Sequence, residues 1–151
     1  MGKERLGRKQ SMSKEQNVQA LTKFAEAANT GKFDLFDEAV APDCVDHDPA
    51  PGQGPGPEGY RAFFTQMRTA FPDLKADLVA MVADEDSIAF AYTLSGTQKG
   101  PLMGVPATGK KVSIRGVQFS KFRDGKMVER WGSSDQLGML QQLGVTTIPR
   151  T

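Results

Sequence analysis

The spacing of apolar residues changes from helical to alternating at Pro72, and that change limits what this chain can fold into. Before Pro72 the apolar residues recur every three or four positions; from Leu74 onward they alternate. The first pattern suits helices that bury one stripe, the second suits half-buried strands. Helices first and an antiparallel sheet afterwards predict an α+β protein.

The helical part divides into three. Ser13 and Gln16 have capping-box spacing, and Val18, Leu21, Ala25 and Ala28 follow at helical intervals until Asn29-Thr30-Gly31 stops the run. A shorter helix is predicted from about Phe33 to Val40, ending before Pro42. Pro49 to Pro57, PAPGQGPGP, reads as a surface loop, since proline lacks the donor and glycine lacks a preferred conformation. Pro57 then opens a third helix, in which Tyr60, Phe63, Phe64, Met67 and Phe71 form an aromatic stripe expected to be core.

In the second part, Leu74, Ala76, Leu78, Ala80 and Val82 alternate, Asp84-Glu85-Asp86 turns the chain, and Ile88, Phe90, Tyr92 and Leu94 alternate again. The other face of that second strand is Ala89, Ala91, Thr93 and Ser95, so a helix or a ligand is expected to come close there. Gly96 to Lys111 is a Gly/Pro-rich connection able to form a rim or lid. Val112 and Ile114 are out of phase with Val117 and Phe119, which predicts a bulge at Gly116. Asp124-Gly125 closes a hairpin, and a last strand runs from Met127 to about Gly132. The closing helix is expected to use Ser133, Ser134 or Asp135 as its cap, bury Leu137, Leu140 and Leu143, and stop at Gly144.

A chain of 151 residues suits one domain. Residues 1–11 read as a disordered basic arm, 12–145 as the domain and 146–151 as a tail. The formal net charge is +1 with acids and bases interspersed, so the basic stripe that neutralises nucleic-acid phosphates is lacking. The opening MGKERLGRKQSM has no apolar middle for a signal peptide and carries Leu6 where myristoylation needs Ser or Thr. No window approaches the roughly 18 to 20 apolar residues of a membrane span. The lone cysteine, Cys44, excludes an internal disulfide, and a cytoplasmic location is expected.

Four stretches together resemble a known family: DCVDHDPAPGQGPGPEGY, FPDL, SGTQKGPLMGVPATGKKV and FRDGKMVERWGSSDQLGMLQQLG. They are similar to the SnoaL-like polyketide cyclases, or ester cyclases, of the nuclear transport factor 2-like superfamily, over about Ser13 to Gly144. The resemblance implies a cone-shaped α+β barrel: N-terminal helices and a strongly curved antiparallel sheet enclosing one deep apolar pocket, in a homodimer. It also implies intramolecular aldol condensation with no metal or organic cofactor. A base takes a proton from a carbon between two carbonyls, and the enolate attacks a third carbonyl. Carried over residue by residue, the catalytic aspartate falls on Gly132, its assisting histidine on Gln118, and a rim histidine of ester-cyclase relatives on Gln98.

That leaves candidates for the missing acid-base group. Asp135 is the nearest carboxylate, in competition with its use as a helix cap. His47, the only histidine, lies between Asp46 and Asp48, where a carboxylate could orient it as a base, or it could fix the proline-rich loop. A metal site is not expected there, for want of further histidine ligands. In strict alternation Arg130 shares a face with Gly132, so that either the absent side chain leaves space beside a guanidinium able to hold a carbonyl or carboxylate, or Arg130 is a solvated charge or a partner of Glu129's neighbours. Tyr92, Trp131 and Gln118 are candidate polar groups of the pocket, while Arg115 is expected at an edge or surface.

These readings imply a protein that binds a small hydrophobic carbonyl compound. It is either a polyketide cyclase with a non-standard site or a non-catalytic binding protein. A cofactor-independent hydrolase or isomerase on the same fold is the third alternative, for which the Asp-Arg-Asp set or a paired acid is lacking. Neither nucleic acid nor membrane is an expected partner.

Overall fold

The computed structural model describes residues 2–147, with side chains from Ser13 onward. The expected arm falls within the stretch whose side chains lie outside that description, and residues 148–151 of the expected tail lie outside it altogether. Among the described residues the order is α1 (Gly2–Thr30), α2 (Leu35–Ala39), β1 (Val40–Asp46), α3 (Gly56–Ala70), β2 (Lys75–Ala83), β3 (Ser87–Thr97), β4 (Lys111–Arg123), β5 (Lys126–Ser134) and α4 (Gln136–Gln142). The class is α+β, with N-terminal helices laid on one five-stranded sheet.

The sheet order is β1-β5-β4-β3-β2, with β1 parallel to β5 and the remaining pairs antiparallel. It is therefore mixed, not purely antiparallel as expected. Strand β1 escapes sequence reading because its residues, VAPDCVD, contain a proline and two acids; Pro42 is tolerated at the sheet edge. Its position matters for the site, because it sets Asp46 directly beside Arg130.

The expected bulge at Gly116 is absent. Strands β3 and β4 stay in register from Ser87↔Lys121 to Thr97↔Lys111, and β4 alternates buried and exposed without a break. The apparent phase slip has another cause: Val117 and Phe119 face away from the helices, 58% and 39% exposed, while Gly116, Gln118 and Ser120 face them. Gly116 is small because Tyr92, its cross-strand partner, lies across it; a Cβ there would collide with the phenol ring. The register shifts occur elsewhere, between Leu78 and Ala80 in β2 and at Lys121/Phe122 in the β4–β5 pair.

The core lies between the helices and one face of the sheet. Phe24, Phe36, Tyr60, Ile88, Phe122 and Met127 form one cluster; Met67, Phe71, Leu74, Val112, Ile114 and Met139 form a second, and Phe64 packs against both. The aromatic stripe of α3 is thus core, as the spacing predicts. Helix α4 buries Met139 and Leu143 and leaves Leu137 49% exposed, correcting the expected face. With the cap at Asp135, positions 139 and 143 are the i, i+4 pair turned toward β4.

Turn chemistry agrees with the sequence at two places. Asp124 and Gly125 both have positive φ, 53° and 74°, which suits a hairpin of primed type. Gly56 has φ +66°, and a Cβ on it would stand 2.5 Å from the Pro42 carbonyl oxygen, so α3 can start where it does only with glycine there.

Candidate functional site

Alternation along β5 sends neighbouring candidate residues to opposite sides of the sheet. Arg130 and Gly132 pair with Ser120 and Gln118, which are buried toward the helices. Trp131 pairs with Phe119, and Ser133 with Val117, on the outer side. Asp46, Tyr92, Gln118, Arg130 and Gly132 are thereby gathered on the inner face, while His47 and Trp131 are stacked together on the outer one.

On the inner face Asp46 is the hub. Its two oxygens accept from Arg130 Nη1 at 3.1 and 3.0 Å, from Tyr60 Oη at 3.1 Å, from Gln53 Nε2 at 3.1 Å and from the Asp48 N–H at 2.9 Å. The carboxylate and guanidinium side chains are only 7% and 17% exposed, so each would be strongly penalised without the other. Arg130 Nε donates to Gln118 Oε1 at 2.8 Å, and Gln118 Nε2 donates to Ser120 Oγ at 3.0 Å. Burial raises the Tyr60 phenol well above its ordinary range, with Asp46 adding to the effect, and pushes the Cys44 thiol up to about 11. Both stay neutral donors beside an ionised pair.

The space expected beside Gly132 is filled. A Cβ on Gly132 would collide with the terminal nitrogens of Arg130, whose guanidinium lies over the glycine. Two of its nitrogens are spent, but Nη2 has no hydrogen-bond partner among the described residues. No described buried side-chain nitrogen or oxygen lacks a partner, so Nη2 is reachable by solvent. The same argument applies to Tyr92 Oη, which lies over Gly116. Burial raises the Tyr92 pKa against the opposing pull of Arg130, which keeps the phenol a donor.

Asp135 is an exposed N-cap: its Oδ1 accepts from the Gly138 N–H at 2.8 Å, the bond that starts α4. His47 is 37% exposed, its ring stacked on Trp131 at 4.3 Å between centroids and its Nε2 3.2 Å from Glu129 Oε1. The sheet separates it from the Arg130 guanidinium. Asp48 accepts from the Gly132 N–H at 2.9 Å, tying the loop after β1 to β5. No three His, Cys, Asp or Glu side chains are grouped to hold a metal among the described residues.

The outer face carries a broad concavity of about 630 Å³. Ala80, Ala89 and Ala91 line it, with Val82, Val117, Phe119 and Trp131 around them. Among the described residues no helix lines this concavity, so one of the two expected occupants of the small face of β3, a helix, is not found there. At the rim connection, Gln98 is fully buried and structural: its Oε1 accepts from the Thr108 N–H and Oγ1 at 3.1 and 2.7 Å, and its Nε2 donates to the Val105 carbonyl.

Sequence reading misses Gln53 and Tyr60 as supports of the site. Tyr60 carries a signal in its polar tip, but helical spacing assigns the ring to the core, where it also belongs. Gln53 has no signal, because its partner depends on how the proline-rich loop folds back.

The sequence pattern of the SnoaL-like polyketide cyclases matches residues 18–143. An aklanonic acid methyl ester cyclase, DauD, from Streptomyces sp. (strain C5) is 30% identical over 134 residues, covering 84% of this chain and 81% of the relative. The nogalonic acid methyl ester cyclase of Streptomyces nogalater is 30% identical over 125 residues, 80% of this chain and 92% of the relative. Among solved structures, TsrD from Streptomyces laurentii superposes with a TM-score of 0.80 at 30% identity, covering 87% of this chain and 96% of its own. No helix among the described residues is long and apolar enough to cross a membrane.

Proposed function

Because the chain belongs to the SnoaL-like polyketide cyclase family, we propose that it binds a small hydrophobic carbonyl compound of polyketide or ester type on the helix-facing side of its sheet. The observation that carries this reading is the Arg130 guanidinium, fixed by Asp46 and Gln118 and presenting an unpartnered Nη2 over Gly132. A preoriented donor costs little to organise when a ligand oxygen arrives. Apolar side chains between sheet and helices, Phe90 and Leu94 of β3 and Phe64 of α3, are only partly buried and suit the ligand's hydrocarbon body. On this reading the sheet curves as the family's cone-shaped barrel does, the site works without metal or organic cofactor, and the open outer face receives a second copy to form a homodimer.

The three curated relatives named as methyl ester cyclases support a second reading, ring closure by intramolecular aldol condensation. Arg130 would polarise the accepting carbonyl and hold the alkoxide that forms. The proton transfer is the weak step, since Gly132 supplies no carboxylate, Asp135 caps a helix and His47 lies across the sheet. Binding without efficient turnover is therefore the first reading.

The test pairs wild type with Gly132→Asp on an aldol-cyclisable polyketide methyl ester. Binding by wild type with turnover about 10² to 10⁴ below that of a cyclase is expected, the usual worth of a general acid-base group. Wild-type turnover matching the Gly132→Asp variant and a competent cyclase would overturn the claim that the base is missing. In a companion titration, Gly132→Ala, whose Cβ pushes the guanidinium aside, should weaken ligand binding about tenfold, the loss of one charged hydrogen bond.

A further inference from the structure

We infer that the ligand of this site carries an ionised carboxylate, held between Arg130 Nη2 and Tyr92 Oη, so that the protein selects a hydrophobic acid over its neutral ester. The inference rests on the binding reading above and adds the charge of the ligand to it.

Among the described residues, Arg130 Nη2 and Tyr92 Oη on the same face have no protein partner and reach solvent. Each lies over a glycine, Gly132 and Gly116 respectively, so no side chain stands under either group. The two glycines sit on β5 and β4 in diagonal cross-strand positions, since Gly132 faces Gln118 and Gly116 faces Ser134. Diagonal neighbours in an antiparallel pair are roughly 7–8 Å apart between backbones, and one carboxylate with a hydrogen bond at each end spans about 7 Å, so donors leaning toward each other over the two glycines can share one.

The charge balance favours an anion. Asp46 is the partner of Arg130, but it touches the guanidinium through Nη1 and shares its charge with Tyr60, Gln53 and the Asp48 N–H. Gln118 takes the Nε edge and is uncharged. Of the other ionisable groups near the pair, burial keeps Cys44 and Tyr60 neutral, and Asp48 is turned to the Gly132 N–H and the outer concavity. The nearby Asp48 carboxylate is held by the Gly132 N–H, and among the described residues Nη2 forms no ion pair. A charge-assisted bond is about twice as strong as a neutral one. An ester, with one good acceptor and no charge, cannot match that.

The experiment titrates the full chain with 2-naphthoate, methyl 2-naphthoate and naphthalene by calorimetry at neutral pH. Wild type should bind the acid about tenfold more tightly than the ester, from the extra strength of charged hydrogen bonds. Gly132→Asp, which gives Arg130 an internal carboxylate partner, should erase or reverse that preference. Tyr92→Phe should weaken the acid several-fold and the ester by less, since the bond to an ionised oxygen is the stronger one. Equal binding of acid and ester by wild type overturns this inference while leaving carbonyl binding standing. An acid preference untouched by Gly132→Asp also overturns it, since the anion would then sit elsewhere, for instance near Lys121 on the outer face. If none of the three ligands binds, the binding reading fails and the inference falls with it.

Discussion

The two faces of the sheet are built from the same strands and solve opposite problems. The inner face holds an ion pair, Gln118 and Tyr60, with four donors converging on Asp46. The outer face leaves Val82, Val117 and Phe119 72%, 58% and 39% exposed around a trough of alanines. Inside, the polar groups shut off from water have partners, and the two donors without one, Arg130 Nη2 and Tyr92 Oη, reach solvent; outside, apolar groups are exposed because no helix among the described residues covers them. Strand β5 contributes to both, turning Arg130 and Gly132 in and Glu129 and Trp131 out. A residue's neighbours in sequence are therefore poor guides to its partners in chemistry.

The strongest way to break the contrast is Asp46→Ala. It strands the Arg130 guanidinium inside the fold, and should cost about 3–5 kcal/mol in urea unfolding, the usual penalty for orphaning one member of a buried pair. A loss under ~1 kcal/mol, typical of exposed pairs, would show that the Asp46–Arg130 pair is not desolvated.

Next in size is alkaline destabilisation. The Cys44 thiol ionises at about 11 when folded against an ordinary value of 9.0. Below pH 9 neither state is ionised and this contribution is intact. Between pH 9 and 11 the unfolded thiol gives up its proton while the folded one keeps it, so stability falls by about 2–3 kcal/mol at roughly 1.4 kcal/mol per pKa unit. Tyr60 and Tyr92, both raised, extend the fall above pH 10. Cys44→Ala should flatten the slope between pH 9 and 11 in chemical denaturation; an unchanged slope there would refute the assignment.

Two smaller effects sharpen the comparison. Asp135→Ala should cost about 1 kcal/mol through the lost helix cap, with ligand affinity unchanged. His47→Ala removes one ring stack and one half-exposed hydrogen bond to Glu129, worth together about 1 kcal/mol. It too should leave inner-face binding intact, and a drop in affinity beyond about threefold (~0.7 kcal/mol, from the tenfold-per-1.4 relation) would place His47 in the site after all.

Much of the architecture was legible because its causes are local. The stripe in α3, the Asp124-Gly125 hairpin and the alternation in β2 and β3 reflect helical and strand periodicity and turn conformation, properties of short stretches. The same local logic placed Arg130 and Gly132 on one face. The Gly116 bulge was misread for an instructive reason: alternation reveals which residues share a face, and an exposed apolar face mimics a change of phase.

By itself, then, the sequence determined the α+β class, the family and the absence of a carboxylate at Gly132. Tertiary structure alone decided what became of that absence. Asp46 and Arg130 are 84 residues apart, and they meet because β1 enters the sheet parallel to β5, a pairing that local propensity does not encode. Once they meet, mutual neutralisation in a desolvated interior holds the guanidinium over the glycine, and the helices covering one face only decide that His47 lies on the other.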